Sequence, residues 1–508
     1  YLGELTITGG NITENIGSHG AIQVAQAEPT CKISLGGSVN IFNNPDYPNA
    51  SLKLDIYLQA PTSVVNIVSE MTGTEKISLW RNDRGVLTKD YGKYNRNVAP
   101  KDRFTSANLP LYDVENYGEG SSAEAQYFCY DNALNWSYYN SVSIATGTQQ
   151  TVKLYSNWNA ATNGSYTTAF GTNSYYYNGA LYIQASANIV LDLNGFTINR
   201  ALTSSTKRAY GYAVRVNGTL IVIDTSEGKS GVITGGFSSS ADYRGGGGIS
   251  VYSGGKLTLL GGSVTGNRGE FGGVSVHTSG NVNLGGDAQI YDNFVNTTTT
   301  QRNIHFFNAA ATIEIESRLT GTRKIGISRN GNGPFTNGFG TYHSGEDVSL
   351  YFVSDDANYN VINQGDGNAR EAALLSYVSA TNWEYAVTTS LKNGGAPTVC
   401  LLFSDWTAVA SADGFLKTTG AVTGSCYSSG ALYVPAGAHV ILDLNGFTVN
   451  RNYSSPVDYG CVIYIGGGTL TIRDSSEGKT GTIRGGYASY SIYGGGIFMS
   501  SGSRLYLE

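Results

Sequence analysis

Residues 247–286 read GGISVYSGGKLTLLGGSVTGNRGEFGGVSVHTSGNVNLGG, and the fold is decided there. The stretch holds one short unit twice. Gly247-Gly248-Ile249-Ser250-Val251 returns 25 residues later as Gly272-Gly273-Val274-Ser275-Val276, and Lys256-Leu257-Thr258-Leu259 returns at the same spacing as Asn281-Val282-Asn283-Leu284. Each unit carries three alternating runs, for example Ile249/Val251, Leu257/Leu259 and Ser263-Val264-Thr265, broken by Gly-Gly, Ser-Gly and Gly-Asn. Alternation with period two sends the apolar residues to one face and Ser, Thr or Gln to the other. Three such strands per turn describe a coil of triangular section. Stacked coils pair each strand with its equivalents above and below, about 4.8 Å away. The expectation is an all-β parallel β-helix, a solenoid.

The same unit is legible upstream in Gly20-Ala21-Ile22-Gln23-Val24 and Lys32-Ile33-Ser34-Leu35. Gly9-Gly10, Gly36-Gly37, Gly261-Gly262 and Gly285-Gly286 fall at one corner, where positive φ and close stacking exclude a Cβ. Asn15, Asn44, Asn267 and Asn293 fall at another. There asparagine is expected to adopt the left-handed conformation and bond its counterpart one coil away.

A longer period contains this one. Ile189-Val190-Leu191-Asp192-Leu193-Asn194-Gly195-Phe196 recurs as Val440-Ile441-Leu442-Asp443-Leu444-Asn445-Gly446-Phe447, 251 residues on. Leu5-Thr6-Ile7 matches Leu257-Thr258-Leu259, and Met71-Thr72-Gly73-Thr74 matches Leu319-Thr320-Gly321-Thr322. The module is therefore about 250 residues, roughly ten coils or about 50 Å. Trp383 to Leu391 reads as a short amphipathic helix before a strand, in the place Trp136-Ser137-Tyr138-Tyr139 holds upstream. Such a helix covers the sticky edge of a coil. At the other end Ala311–Glu316 and Lys324–Ile327 close the regular coils, and looser Asn/Asp/Tyr-rich sequence follows from about 328 to 380. The expected organisation is the C-terminal part of one module in 1–133, a complete module in 134–380, and the N-terminal part of the next in 381–508. Tyr1–Leu5 carries no basic or apolar leader pattern. Because head and tail both fall mid-repeat, the expectation is a window from a longer array or polymer.

Composition narrows the function. Of 508 residues, 67 are Gly, 36 Tyr and only 14% charged, against roughly a quarter in an ordinary soluble domain. A net charge of -6 with no Lys/Arg run removes the signature of a nucleic-acid binder. No apolar stretch reaches the roughly 18 residues of a membrane span. Cys31, Cys129, Cys400, Cys426 and Cys461 are widely spaced, without the CxxC or CxxH pattern of a zinc site. A Cys426–Cys461 disulfide is left open.

With these motifs in hand, the chain resembles the pectate-lyase-like right-handed β-helix repeats of large bacterial cell-surface, adhesin-like proteins. The motifs are LDLNGFTINR (191–200), GTLIVIDTSEGKSGVITGG (218–236), GGISVYSGGKLTLLGGSVTGN (247–267) and LTGTRKIGIS (319–328). They appear in that order and, with their second copies, cover most of the chain. The resemblance implies an exported, wall-attached or filamentous protein. Right-handedness follows from it and from the crossover rule.

β-Helices also carry polysaccharide lyases, hydrolases and tailspikes, whose chemistry needs carboxylates converging on one face. The outward positions of the Gly-Gly-initiated strand are Gln23, Arg215, Ser250, Ser275, Tyr464 and Phe498, none of them acidic. Asp192 and Asp224, with copies Asp443 and Asp474, remain. Asp192 and Asn194 alternate with Leu191 and Leu193 and should point outward, toward a shallow calcium or glycan contact; alternatively the aspartates end strands and bond turn amides. His19, His277, His305, His343 and His439 are scattered, and no GxSxG elbow is present. Gly245–Gly248 lacks the Lys-Ser/Thr of a phosphate loop. Seven Asn-x-Ser/Thr sequons occur, at Asn11, Asn49, Asn135, Asn163, Asn217, Asn296 and Asn452. The expectation is no catalytic, cofactor or metal site. The function expected is an extracellular structural and adhesive one, with self-association in a fibre and environmental glycans as partners. A carbohydrate-binding or polysaccharide-degrading protein is the alternative.

Overall fold

The computed structural model describes residues 3–26, 30–49, 51–81, 84–107, 112–159, 181–207, 210–239, 245–407, 432–456, 460–489 and 494–508. They are mostly strands in parallel sheets with few helices, a solenoid-like all-β arrangement. The chain divides into two compact units, Tyr1–Ala201 with Gly218–Ile233, and Leu202–Asn217 with Thr234–Glu508.

In the first unit, Gly3–Thr13, Cys31–Phe42, Val65–Met71 and Thr88–Lys89 form one parallel sheet. Ile22–Val24, Ile56–Leu58, Ile77–Arg81 and Phe104–Ser106 form another. Like residues sit on like: Ile33 lies between Leu5 and Val65, Leu35 between Ile7 and Ile67, and Ile56 between Ile22 and Leu79. The two sheets thereby share one buried aliphatic core. Further on, Gln150–Lys153, Asn188–Asp192 and Thr219–Ile223 pair in parallel, with Val152, Leu191 and Val222 in line.

The second unit repeats the scheme. Ile249 stands on Val274, Val274 on Ile304 and Ile304 on Ile327, so successive turns differ in length while the inward column stays aliphatic. Leu257 and Val282, and Val264 and Ile290, continue the other two walls. After residue 392 three more parallel sheets follow, one for each wall, holding Val440 on Leu470, Val449 on Ile483 and Ile463 on Ile497.

At the corner assigned to asparagine, the bonds form but the conformation belongs to the preceding residue. Glu14, Asn43, Gly266 and Asp292 have the positive φ, and each following asparagine turns its side chain under the corner. Asn267 N and Nδ2 donate to Asn293 Oδ1 at 3.1 and 3.0 Å. Asn293 N and Nδ2 donate to Asn303 Oδ1 at 3.1 and 3.2 Å, and Asn303 N and Nδ2 end on the Asp355 carboxylate at 2.5 and 3.1 Å. In the first unit Asn15 passes to Asn44, which donates to Asp55 at 2.7 Å. Each ladder ends on a carboxylate, an acceptor with no amide of its own to satisfy.

The stretch from 328 to 380, read from sequence as loose, is ordered. Phe352–Ser354 adds a parallel strand to Ile325–Ile327, and Tyr359–Gln364 pairs antiparallel with Glu371–Ser376 as a hairpin. Tyr112–Tyr117 and Glu124–Cys129 make the same hairpin in the first unit. A buried arginine closes each end. Arg329, 2% exposed, donates to the carbonyls of Ala311, Pro334 and Gly333 at 2.8, 2.9 and 2.6 Å. Arg81 does this for Ser63, Val86 and Arg84.

A helix follows each hairpin, Asn132–Thr146 and Ser379–Lys392. The second begins a turn before the Trp383 start read from the sequence. The first is capped by the Asp131 carboxylate, which accepts from the Ala133 and Leu134 amides, and ends at Gly147 with φ 68°. Each buries one stripe: Asn382, Trp383, Ala386, Val387 and Ser390 in one, Asn135, Trp136, Tyr139, Asn140 and Ser143 in the other. Backward, Asn135 donates to Cys129 O and Asn382 to Ser376 O, the last residue of each hairpin. Forward, Ser143 Oγ accepts the Asn188 amide at 2.9 Å and Ser390 Oγ the His439 amide at 2.7 Å, both at the start of strands in the next coil.

Candidate functional site

The aspartates come first. Leu193 O accepts the Phe196 amide at 2.8 Å across Asn194 and Gly195, both at positive φ (47° and 80°), which makes this a type I′ turn. Asp192 was expected to face outward; it is 3% exposed, because the turn starting at Thr225 folds over it. Its carboxylate accepts from Asn194 N, Thr225 N and Thr225 Oγ1 at 3.0, 3.0 and 2.7 Å. Asp224 accepts from Gly195 N, Ser226 N, Ser226 Oγ and Gly231 N at 2.9, 3.0, 2.7 and 2.6 Å. Burial alone would raise the Asp224 carboxyl, but the bonds from Ser226, Gly231 and Gly195 outweigh it and hold it below the usual carboxylate range.

The second copy repeats this. Asp474 accepts from Gly446 N, Ser476 N, Ser476 Oγ and Gly481 N, and these bonds, the Ser476 hydroxyl first, bring it to about 2. Asp443 takes Asn445 N, Ser475 N and the Arg473 guanidinium (2.8 Å). The structure thus brings each aspartate pair together across one double turn, with the carboxylate oxygens committed to fixed amides and hydroxyls. A carboxylate so held is a poor proton acceptor, and this geometry braces loops.

The column of the Gly-Gly-initiated strands is the second candidate. Arg215, Ser250, Ser275, His305 and Ser328 stand one above the other in register. Ser250 and Ser275 are fully buried because the preceding glycine segment covers them; Gly246 N donates to Ser275 Oγ at 2.7 Å. His305 Nδ1 lies 2.7 Å from Ser328 Oγ, and its ring stacks on Phe271. Burial, helped by Arg302, pushes His305 down to about 4, so it is neutral at physiological pH. Sequence reading left His305 and Ser328 out of this column, although the alternation of Ile304-His305-Phe306 copies that of Val274-Ser275-Val276. In the second copy the column is Tyr433, Tyr464 and Phe498, whose rings stack at 5.2 Å between centroids.

A cleft of about 380 Å³ in the second unit is rimmed by Thr203, Ser204, Gly266, Arg268 and Thr297. Arg268 lies over the Phe294 ring and donates to the Asn296 and Thr298 carbonyls at 3.0 Å. The repeat places Ile16, exposed, at the equivalent position upstream, so the cation belongs to one copy alone.

Among the described residues no group of three His, Cys, Asp or Glu could hold a metal, and no helix is long and apolar enough to cross a membrane. Cys31, Cys129 and Cys400 are free thiols; burial pushes Cys129 and Cys400 up. Cys461 is buried, and Cys426 lies outside the described residues, as do Asn163 and the tyrosine run 175–177. The sequon at Asn135 is fully buried in its helix.

Fold and site together define a strand-rich, parallel-sheet, solenoid-like protein. Compared with known proteins, the chain matches no family model, no curated protein and no solved structure. The resemblance to surface-protein β-helix repeats therefore rests on the motifs in which it was read.

Proposed function

We propose that the chain is a non-enzymatic structural and adhesive protein of the cell exterior, built of right-handed β-helix modules in tandem that stack into a stiff fibre. The observation that carries this reading is the joint made of hairpin and helix. It occurs twice, at 112–146 and at 359–392, and each helix is hydrogen-bonded both to the coil it leaves and to the coil it enters. A joint of this kind transmits bending load, where a Gly/Ser linker would not. The interior is an aliphatic column, and the low-charge Ser/Thr/Asn/Tyr surface lets rods lie side by side. Self-association is the expected partnership.

The second reading is glycan binding, favoured by the cleft at Arg268, whose cation and hydroxyl rim suit an acidic or polyhydroxylated ligand. Two assays on the purified chain and source cells test the proposal. Antibodies against the chain should label intact cells, and pectic, chitinous and mucin-type polysaccharides should release no reducing ends. Catalytic release of oligosaccharide would overturn the non-enzymatic reading, and labelling only after lysis would overturn the exterior location.

A further inference from the structure

Leu319 and Met71 occupy the same place in the two copies, at the end of a strand where the backbone amide turns away from its sheet. Each amide needs an acceptor. Met71 N donates to Asn95 Oδ1 at 2.9 Å, whereas Leu319 N donates to His343 Nε2 at 3.0 Å. His343 stands where the repeat has Asn95, and its side chain is fully buried. The amide fixes the tautomer: Nε2 accepts, so Nδ1 carries the proton and donates to Glu346 Oε2 at 2.9 Å.

We propose that His343 makes the closing turn of the second unit acid-labile, while the equivalent turn of the first unit, held by Asn95, keeps its bond at the same pH. A proton added to Nε2 takes the lone pair that Leu319 N uses, and two N–H groups cannot face each other at 3.0 Å. The turn must open for the charge to form. Among the described residues, the charged and titratable groups at the ring are Glu346, Arg318 and Tyr351, with Arg370 donating to the Glu346 carbonyl at 2.6 Å. Glu346 is bound to His343, to Arg318 and to Tyr351 OH, and these contacts, Tyr351 first, keep it ionised. Arg318 opposes a second positive charge, and the Tyr351 ring lies 4.3 Å from the imidazole; Phe339 stacks on the other side at 4.7 Å. Burial is the largest effect and pushes His343 below its ordinary value, with Glu346 pulling the other way.

The sign follows. A histidine lowered in the folded state contributes stability that is fully present above its unfolded value, near 6.5, and is lost as pH falls from there through the lowered folded value. The turn holds at neutral pH and loosens in acid, as in the endosome-like range where histidine switches act.

Hydrogen exchange of the intact chain, read by mass spectrometry on peptides containing Leu319 and Met71 and corrected for intrinsic pH dependence, tests this. Between about pH 7.5 and 5.0 the Leu319 peptide should lose about tenfold or more in protection, one unit of protonation free energy or more, while the Met71 peptide holds. His343→Asn installs the side chain that serves at Asn95 and should keep the Leu319 peptide protected at both values. His343→Ala removes the acceptor and should leave it unprotected at both. Loss of protection that persists in His343→Asn, or equal behaviour of the two wild-type peptides, overturns the proposal. Asp355, which burial pushes up to about 6, takes up its proton more readily folded than unfolded, so its titration adds stability as pH falls and has the opposite sign to the expected loss.

Discussion

At the scale of single residues, the two copies act as an internal mutagenesis experiment. The asparagine ladder of the first unit ends on Asp55, which also accepts from Ser78 N and Oγ at 2.8 Å. The second unit has Asn303 and Gly326 at those places and brings in Asp355 from a later strand. A Cβ on Gly326 would lie 2.0 Å from Asp355 Oδ1, so glycine is required by the carboxylate that replaces the serine. Gly326→Ala should therefore displace Asp355, leave two buried Asn303 donors unpaired and cost about 2–4 kcal/mol in chemical denaturation. Asp224→Ala should cost about 2–3 kcal/mol at neutral pH by freeing the amides of Gly195, Ser226 and Gly231. Because the Asp224 carboxyl is held below its ordinary value, its contribution is present above about pH 4 and is lost as pH falls further. Stability measured between about pH 5 and 2 should fall less steeply in the variant.

At the scale of elements, alternation was readable and cover was not. The pattern in Gly248-Ile249-Ser250-Val251 states which side chains leave the core, and the register bears that out column by column. It does not state that a glycine segment lies over Ser250 and Ser275 and buries them. The same limit applies to Asp192, whose lid is a turn more than thirty residues away. The closing hairpin escaped because Ala372-Ala373-Leu374-Leu375 is a continuous apolar run without a period; Gly365-Asp366-Gly367 between the strands was the turn signal available. The asparagine corner was off by one residue because composition marks the buried amide more strongly than the positive φ before it. Two element-scale variants test the joint. Trp383→Ala empties a fully buried site between hairpin and next coil and should cost about 3–5 kcal/mol. Arg329→Met should cost about 3–5 kcal/mol by orphaning the Ala311, Gly333 and Pro334 carbonyls, with hydrogen exchange rising first in the hairpin 359–376.

At the scale of the molecule, what recurs is a complete sequence of parts: parallel coils, an asparagine ladder ended by a carboxylate, an arginine clasp, a hairpin, a helix and a new set of coils. The copies share this order of parts and differ at many positions, among them Asn95 against His343 and Ile16 against Arg268. The arrangement of parts is kept while the side chains on it vary. The proposed function has the hairpin and helix couple successive coils into a stiff fibre. Electron microscopy of the native material tests it most directly. The account predicts straight fibres with one module per axial repeat of roughly 40–50 Å, from seven stacked strands to a wall at about 4.8 Å and a helix layer about 10 Å thick. Discrete globular particles, or strings of beads bending freely every 250 residues or so, would contradict it.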